Sequence, residues 1–168
     1  MEIAIIASIL GITIIAVAAI IVSQRSSKQL GELERKIAST KITLPLRLQA
    51  YERCIVFLER ISPDSLVVRV GKNEETVAEL QAKLLSSIRS EFEHNISQQL
   101  YVSPDAWTYL VNAKNNIVGL VNACSAKLQP NMRAIELSKL IIETYAEIDI
   151  SPTIAAKQRL KHEASQLY

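Results

Sequence analysis

Residues 3–22 form an unbroken run of twenty uncharged residues in which only Ser8 and Thr13 are polar. A helix rises about 1.5 Å per residue, so this run is roughly 30 Å long, the thickness of a bilayer's hydrocarbon core. Gly11 does not count against it, because membrane helices tolerate glycine. The expectation is an uncleaved transmembrane anchor over residues 1–23. A cleaved signal peptide wants a basic segment before a shorter apolar stretch. Here Met1 and Glu2 precede the run, and Arg25 and Lys28 follow it. A buried core helix is the third reading. The flanking charges set an orientation by the positive-inside rule: N-terminus outside, the rest of the chain in the cytoplasm. The basic set Arg25, Lys28, Arg35, Lys36 and Lys41 is then expected to contact lipid headgroups, with the bilayer as partner.

Composition supports this uneven partition. The chain is 49% hydrophobic with a mean hydropathy of +0.17, and much of the excess sits in that one run. Residues 1–72 carry a net +4 and residues 73–168 a net −2. So small and diluted an excess does not make a nucleic-acid surface.

Beyond the anchor the periodicity is helical. Leu30, Leu33 and Ile37 mark a juxtamembrane helix and linker over residues 24–43, its narrow stripe suited to lipid, a second copy or the following domain. Residues 44–168 read as a bundle of four to five amphipathic helices, making the fold class all-α. Pro45 is expected in the first turn of a new helix ending at Ser62-Pro63. The segment 66–70 has strand propensity but no partner strand, so it reads as an extended or short helical connector. Asn73 is the expected cap of a long helix reaching Leu100, with Glu74 and Glu75 in its first turn. Ser103-Pro104 and Ser151-Pro152 each announce a helix start. Lys114 interrupts the stripe of the Trp107 helix and is placed at its border, head in water.

Residues able to carry chemistry are sparse. Glu91 and His94 stand at the E-x-x-H spacing of carboxylate-bridged metal sites, but such sites need a second pair and two more glutamates. The only other histidine, His162, has Arg159 three positions before it. Glu91 and His94 are therefore weak metal candidates, and no cofactor is expected. Cys54 and Cys124 lie in apolar helical contexts and read as buried thiols. Glycines 11, 31, 71 and 119 are scattered and build no phosphate cradle. Asn112, Asn115, Asn116 and Asn122 crowd one helix although asparagine is a poor helix former. Packing of the apolar face alone accounts for them, or they bond to a partner chain. Tyr101, at an inter-helix corner, either pins its turn or belongs to the same partner interface. Ala4-x-x-x-Ser8 and Ala7-x-x-x-Gly11 would let membrane helices approach closely.

The segments LPLRLQAYERCIVFLERI at 44–61 and RSEFEHNISQQLYVSPDAW at 89–107 resemble a family of small uncharacterised single-pass membrane-anchored proteins of Bacteroidota. The resemblance spans essentially the whole chain and implies a bacterial inner-membrane setting. It brings no catalytic residue with it. The function expected on these grounds is a non-enzymatic, membrane-tethered scaffold, an accessory subunit of an inner-membrane assembly with a protein partner or a second copy. The alternatives are an enzyme on a membrane-associated substrate, gathering Glu91, His94 and Arg89 or Arg133, or a lipid or small-ligand carrier with an apolar cavity.

Overall fold

Proline decides where the first helix ends, though not at the first proline. A computed structural model describes the chain apart from residues 72–74 and 168 and the side chains of residues 2–10, 12–16 and 18. Helix α1 runs Glu2–Ile61 and contains Pro45. The expected new start at 43–45 is thus corrected. An interior proline loses one backbone hydrogen bond and costs about 3 kcal/mol. Ala50, Tyr51, Cys54, Phe57, Leu58 and Ile61, all on the turns that follow, are buried. Burial of one large side chain contributes about 1.5–3 kcal/mol, so this face offsets the cost. At Ser62-Pro63 the chain turns, and Pro63 becomes the first residue of the next helix.

The chain divides into two compact units, Met1–Leu44 and Pro45–Tyr168. In the first, Leu30, Leu33, Ile37 and Ile42 are exposed, as are Arg25, Lys28, Arg35, Lys36 and Lys41. The anchor expected at 3–22 falls largely on side chains outside the described ones. Among the described residues no helix is long and apolar enough to cross a membrane. The anchor, the bilayer as partner, the inner-membrane localisation and the tethered scaffold are corrected accordingly. What stands is an all-α chain.

The second unit adds α2 (Pro63–Val70), α3 (Val77–Asn95), a 3₁₀ turn (Ile96–Leu100), α4 (Pro104–Ser125), α5 (Ala134–Ala146) and α6 (Pro152–Ala164). The strand-prone 66–70 segment is helical: Pro63 presets the first turn, and burial of Leu66 and Val67 outweighs β-propensity. Helix α3 begins at a capping box three residues after Asn73, which lies outside the described residues. The Thr76 hydroxyl accepts from Glu79 N, and Glu79 Oε2 accepts from Thr76 N at 2.9 Å. That backbone N–H, with the Thr76 hydroxyl beside it, holds the Glu79 carboxyl below its ordinary range. Val77 N and Ala78 N donate to Met132 O and Pro130 O at 2.9 and 3.1 Å. All four amides of a first turn, orphaned in an isolated helix, are therefore satisfied.

Helix α4 is the central element, touching α3, α5 and α6. Its start at Ser103 and that of α6 at Ser151 are as expected, each serine hydroxyl accepting from the amide three residues on. The core joins Phe57, Leu58 and Ile61 of α1 to Leu80, Leu84 and Ile88 of α3, Leu110 and Ile117 of α4, Leu137 and Ile141 of α5, and Leu160 of α6. Cys54 and Cys124 are both buried free thiols, and burial pushes the Cys54 thiol up to about 12.

Polar contacts fasten α6 to this core. Glu163 accepts from Tyr51 OH at 3.0 Å, Ser103 Oγ at 2.7 Å and Arg159 Nη2 at 3.0 Å. Arg159 Nε also lies 2.7 Å from Asp105 Oδ2, an ion pair rather than an aligned hydrogen bond. Burial, reinforced by Glu163, raises the Tyr51 hydroxyl above its ordinary value.

Candidate binding cleft between α3 and α4

The Glu91 and His94 side chains take different partners. Glu91 Oε1 accepts from Arg60 Nε at 2.7 Å, and Arg69 Nη1 lies 3.6 Å from the same oxygen. Both arginines hold this carboxylate as a brace between α1, α2 and α3. His94 is exposed, and its Nδ1 lies 2.8 Å from Ser90 O, one turn back on its own helix. Among the described residues no group of three or more histidine, cysteine or acidic side chains could hold a metal ion. Arg133 sits at the start of α5, its Nη2 3.5 Å from Glu136 Oε1.

One helical face carries a different arrangement. On α3, Leu85, Ile88 and Phe92 recur at helical spacing; on α4, Val118 stands opposite them. Together they floor a cleft of about 350 Å³ whose rim is polar: Arg89, Lys114, Asn115 and Asn122. Pockets of this size fall in the range that accepts small ligands or single side-chain anchors. The floor is rigid because it is part of an aromatic chain. Phe92 lies 5.9 Å from the fully buried Phe57 and 5.7 Å from Trp107, ring centre to ring centre. Tilted pairs at this spacing suit the aromatic quadrupole.

Lys114 sits at the border of the stripe, its ammonium reaching solvent. It is half-buried, and its Nζ stands 4.5 Å over the Phe92 ring centre. A cation over an aromatic face is stabilised there while staying short of full hydrogen bonding. Neither Lys114 nor Arg89 has a carboxylate within ion-pair distance among the described residues, whereas Arg60, Arg69, Lys83, Lys157 and Arg159 each do. An apolar slot whose rim carries two cations without an ion-pair partner among the described residues is complementary to a group that is apolar at one point and anionic beside it.

The family model described as "Family of unknown function (DUF7935)" matches residues 1–167. The chain belongs to that family. No curated protein and no solved structure matches it. The family description names neither a membrane topology nor a source, and the described residues hold no spanning helix. The resemblance to single-pass proteins of Bacteroidota is therefore corrected to this membership alone.

The four asparagines divide by role. Asn122 Oδ1 accepts from Gln81 Nε2 at 3.0 Å, and Gln81 Oε1 accepts from Ser125 Oγ at 2.8 Å, so this amide ties α4 to α3. Asn116 Nδ2 bonds back to Asn112 O at 2.8 Å. Asn112, Asn115, Asn116 and Asn122 are all exposed, and only Asn115 and Asn122 border the α3–α4 cleft. Tyr101 is at the far end of α4, its carbonyl accepting from Arg47 Nε at 3.2 Å, and is not part of the cleft. Sequence reasoning missed Arg89 and Lys114 as a pair because they lie on different helices. The signal was present in Lys114, a charge inside an apolar stripe.

Proposed function

We propose that the Pro45–Tyr168 unit is a non-catalytic binding module, and that its α3–α4 cleft takes an acidic, partly apolar segment of a partner protein. The observation that carries this reading is Lys114: half-buried, over the Phe92 ring, with no carboxylate among the described residues within ion-pair distance. An aspartate or glutamate beside a leucine or phenylalanine anchor supplies that counter-charge while the anchor fills the floor. Arg89 adds a second, exposed cation that steers acidic segments toward the mouth.

Trp107 makes the test direct. It is the only tryptophan in the chain and touches Phe92. A short acidic peptide bearing one phenylalanine anchor is titrated against the full chain, following Trp107 emission, with the same peptide carrying lysines for glutamates as control. The acidic peptide is expected to bind and to shift the emission, and Lys114→Glu together with Arg89→Glu to weaken binding about tenfold or more. Equal binding of both peptides, or indifference to the double substitution, overturns the reading.

A further inference from the structure

Helix α4 has a second cleft on its other flank, of about 380 Å³, bordered by Ile117, Leu120, Ile148 and Pro152. Among the described residues no charged side chain lines it. Asn115 borders both clefts, so the two are neighbours separated only by the exposed ridge of α4. The ridge is low at one point. Gly119 lies one turn beyond Asn115, is exposed, and borders the second cleft. Apart from proline, glycine is the least favourable residue in a helix interior. Steric need does not explain it here: a Cβ built on Gly119 meets nothing within 4 Å, and its φ is not positive. The helix accepts a weak residue where alanine would fit. What the missing side chain does provide is a saddle that lets another backbone approach α4 closely.

We infer that the partner segment crosses α4 at Gly119 in extended form and anchors in both clefts. This rests on the α3–α4 cleft as the site of the acidic anchor and deepens that reading by specifying the ligand. The two clefts lie on opposite flanks of one helix, a separation on the order of 10 Å. In an extended chain alternate side chains share a face, so residues i and i+4 stand about 13 Å apart with i+2 between them. The acidic apolar anchor at i enters beside Arg89 and Lys114. A small residue at i+2 rests over Gly119. An uncharged aliphatic residue at i+4 enters the second cleft, where no cation is available to a carboxylate. The exposed Asn115 amide makes no side-chain hydrogen bond among the described residues. It offers both a donor and an acceptor to the crossing backbone.

Three peptides test this on the full chain: the acidic anchor alone, the anchor with glycine at i+2 and leucine at i+4, and a register control with leucine at i+3. The i+4 peptide is expected to bind at least tenfold tighter than the anchor alone, and the i+3 control not to. Gly119→Leu is expected to abolish that tenfold advantage while leaving the anchor-alone affinity and its Trp107 signal unchanged. Gly119→Ala, which only adds a helix-favouring methyl, is expected to raise the melting temperature and to narrow the advantage. The Cβ of either substitution enters open space, and circular dichroism checks that folding is preserved. An i+3 peptide as tight as the i+4 peptide indicates a helical or other occupant and overturns the crossing, as does an advantage that survives Gly119→Leu. If the anchor-alone peptide fails to bind in an Arg89- and Lys114-dependent way, the α3–α4 reading fails first and the crossing with it. If it binds so and the extension adds nothing, only the crossing is refuted.

Discussion

Glu163 is the residue whose removal the structure makes most costly per atom deleted. Its side chain is 12% exposed and serves three donors on three elements: Tyr51 of α1, Ser103 at the start of α4, and Arg159 one turn away. Each can be valued separately. The Arg159 contact is an i,i+4 pair with a partly exposed arginine, worth about 0.3–0.5 kcal/mol. Hydrogen bonds to a charged acceptor are worth about 1.5–3 kcal/mol each. Ser103 Oγ keeps its second role, accepting from Ala106 N at 3.0 Å, so its loss lies at the low end. Tyr51 is 3% exposed, and without Glu163 its hydroxyl keeps only the neighbouring Arg47 guanidinium, so this loss lies at the low end too. The total for Glu163→Ala is about 3–4 kcal/mol, a fall in melting temperature of roughly 10 °C for a domain of this size. Glu163→Gln keeps an acceptor and loses the charge, and is expected to cost about 1–2 kcal/mol. The assay is urea unfolding at pH 7, followed by circular dichroism, of the native chain, both variants, Tyr51→Phe and the double variant Tyr51→Phe with Glu163→Ala. A coupling of about 1 kcal/mol or more between positions 51 and 163 is expected. Glu163→Ala costing under 1 kcal/mol, or additive effects at the two positions, would refute the claim that this carboxylate fastens α6.

Two further outcomes follow from groups described above. The Cys54 thiol is raised from 9.0 to about 12, so the native state holds a proton that the unfolded chain releases; the resulting stability is full below pH 9 and is lost as pH rises toward 12. The ceiling of that loss is about 4 kcal/mol, and urea midpoints between pH 8 and 11 are expected to fall less steeply in Cys54→Ala than in the native chain. Thr76→Ala removes half of the α3 capping box and is expected to cost about 1 kcal/mol, read as a drop in thermal midpoint. The Glu79 carboxyl, held low by the same box, supports α3 above the ordinary carboxylate range and ceases to as pH falls through its lowered value, so the Thr76→Ala difference is expected to shrink in acid.

Local chemistry was legible where it is decided locally. Ser103-Pro104 and Ser151-Pro152 combine a hydroxyl acceptor with a preset φ, and both helices start there. Thr76-Val77-Ala78-Glu79 spells a capping box equally well, but Asn73 competed for the role with the two acids behind it. Pro45 misled for a tertiary reason: its cost is local, while the burial of Tyr51 through Ile61 that overrides it depends on the rest of the bundle. The Glu163 contacts join residues 112 and 60 positions apart, which no periodicity reveals. The cleft was half legible. Lys114 stood out as a charge in an apolar stripe, but that it lies over Phe92 depends on how α3 and α4 meet. Gly119 looked like one of several scattered glycines until the space above it was known.

The bridge between the start of α3 and the start of α5 has a consequence for the order in which the chain can become native. Besides the Met132 and Pro130 carbonyls, it includes Ala134 N donating to Glu75 O at 2.8 Å. A nascent α3 therefore remains unfinished at its first turn until residue 134 has been synthesised, and α4 must already lie inside the loop that then closes. The segment 75–134 behaves as a clasped ring whose ends meet far from the Phe92 floor. A single protease cut between residues 126 and 133 would open the ring without touching either wall of the cleft. Amide exchange at Val77, Ala78 and Ala134 would then accelerate together, as one unit.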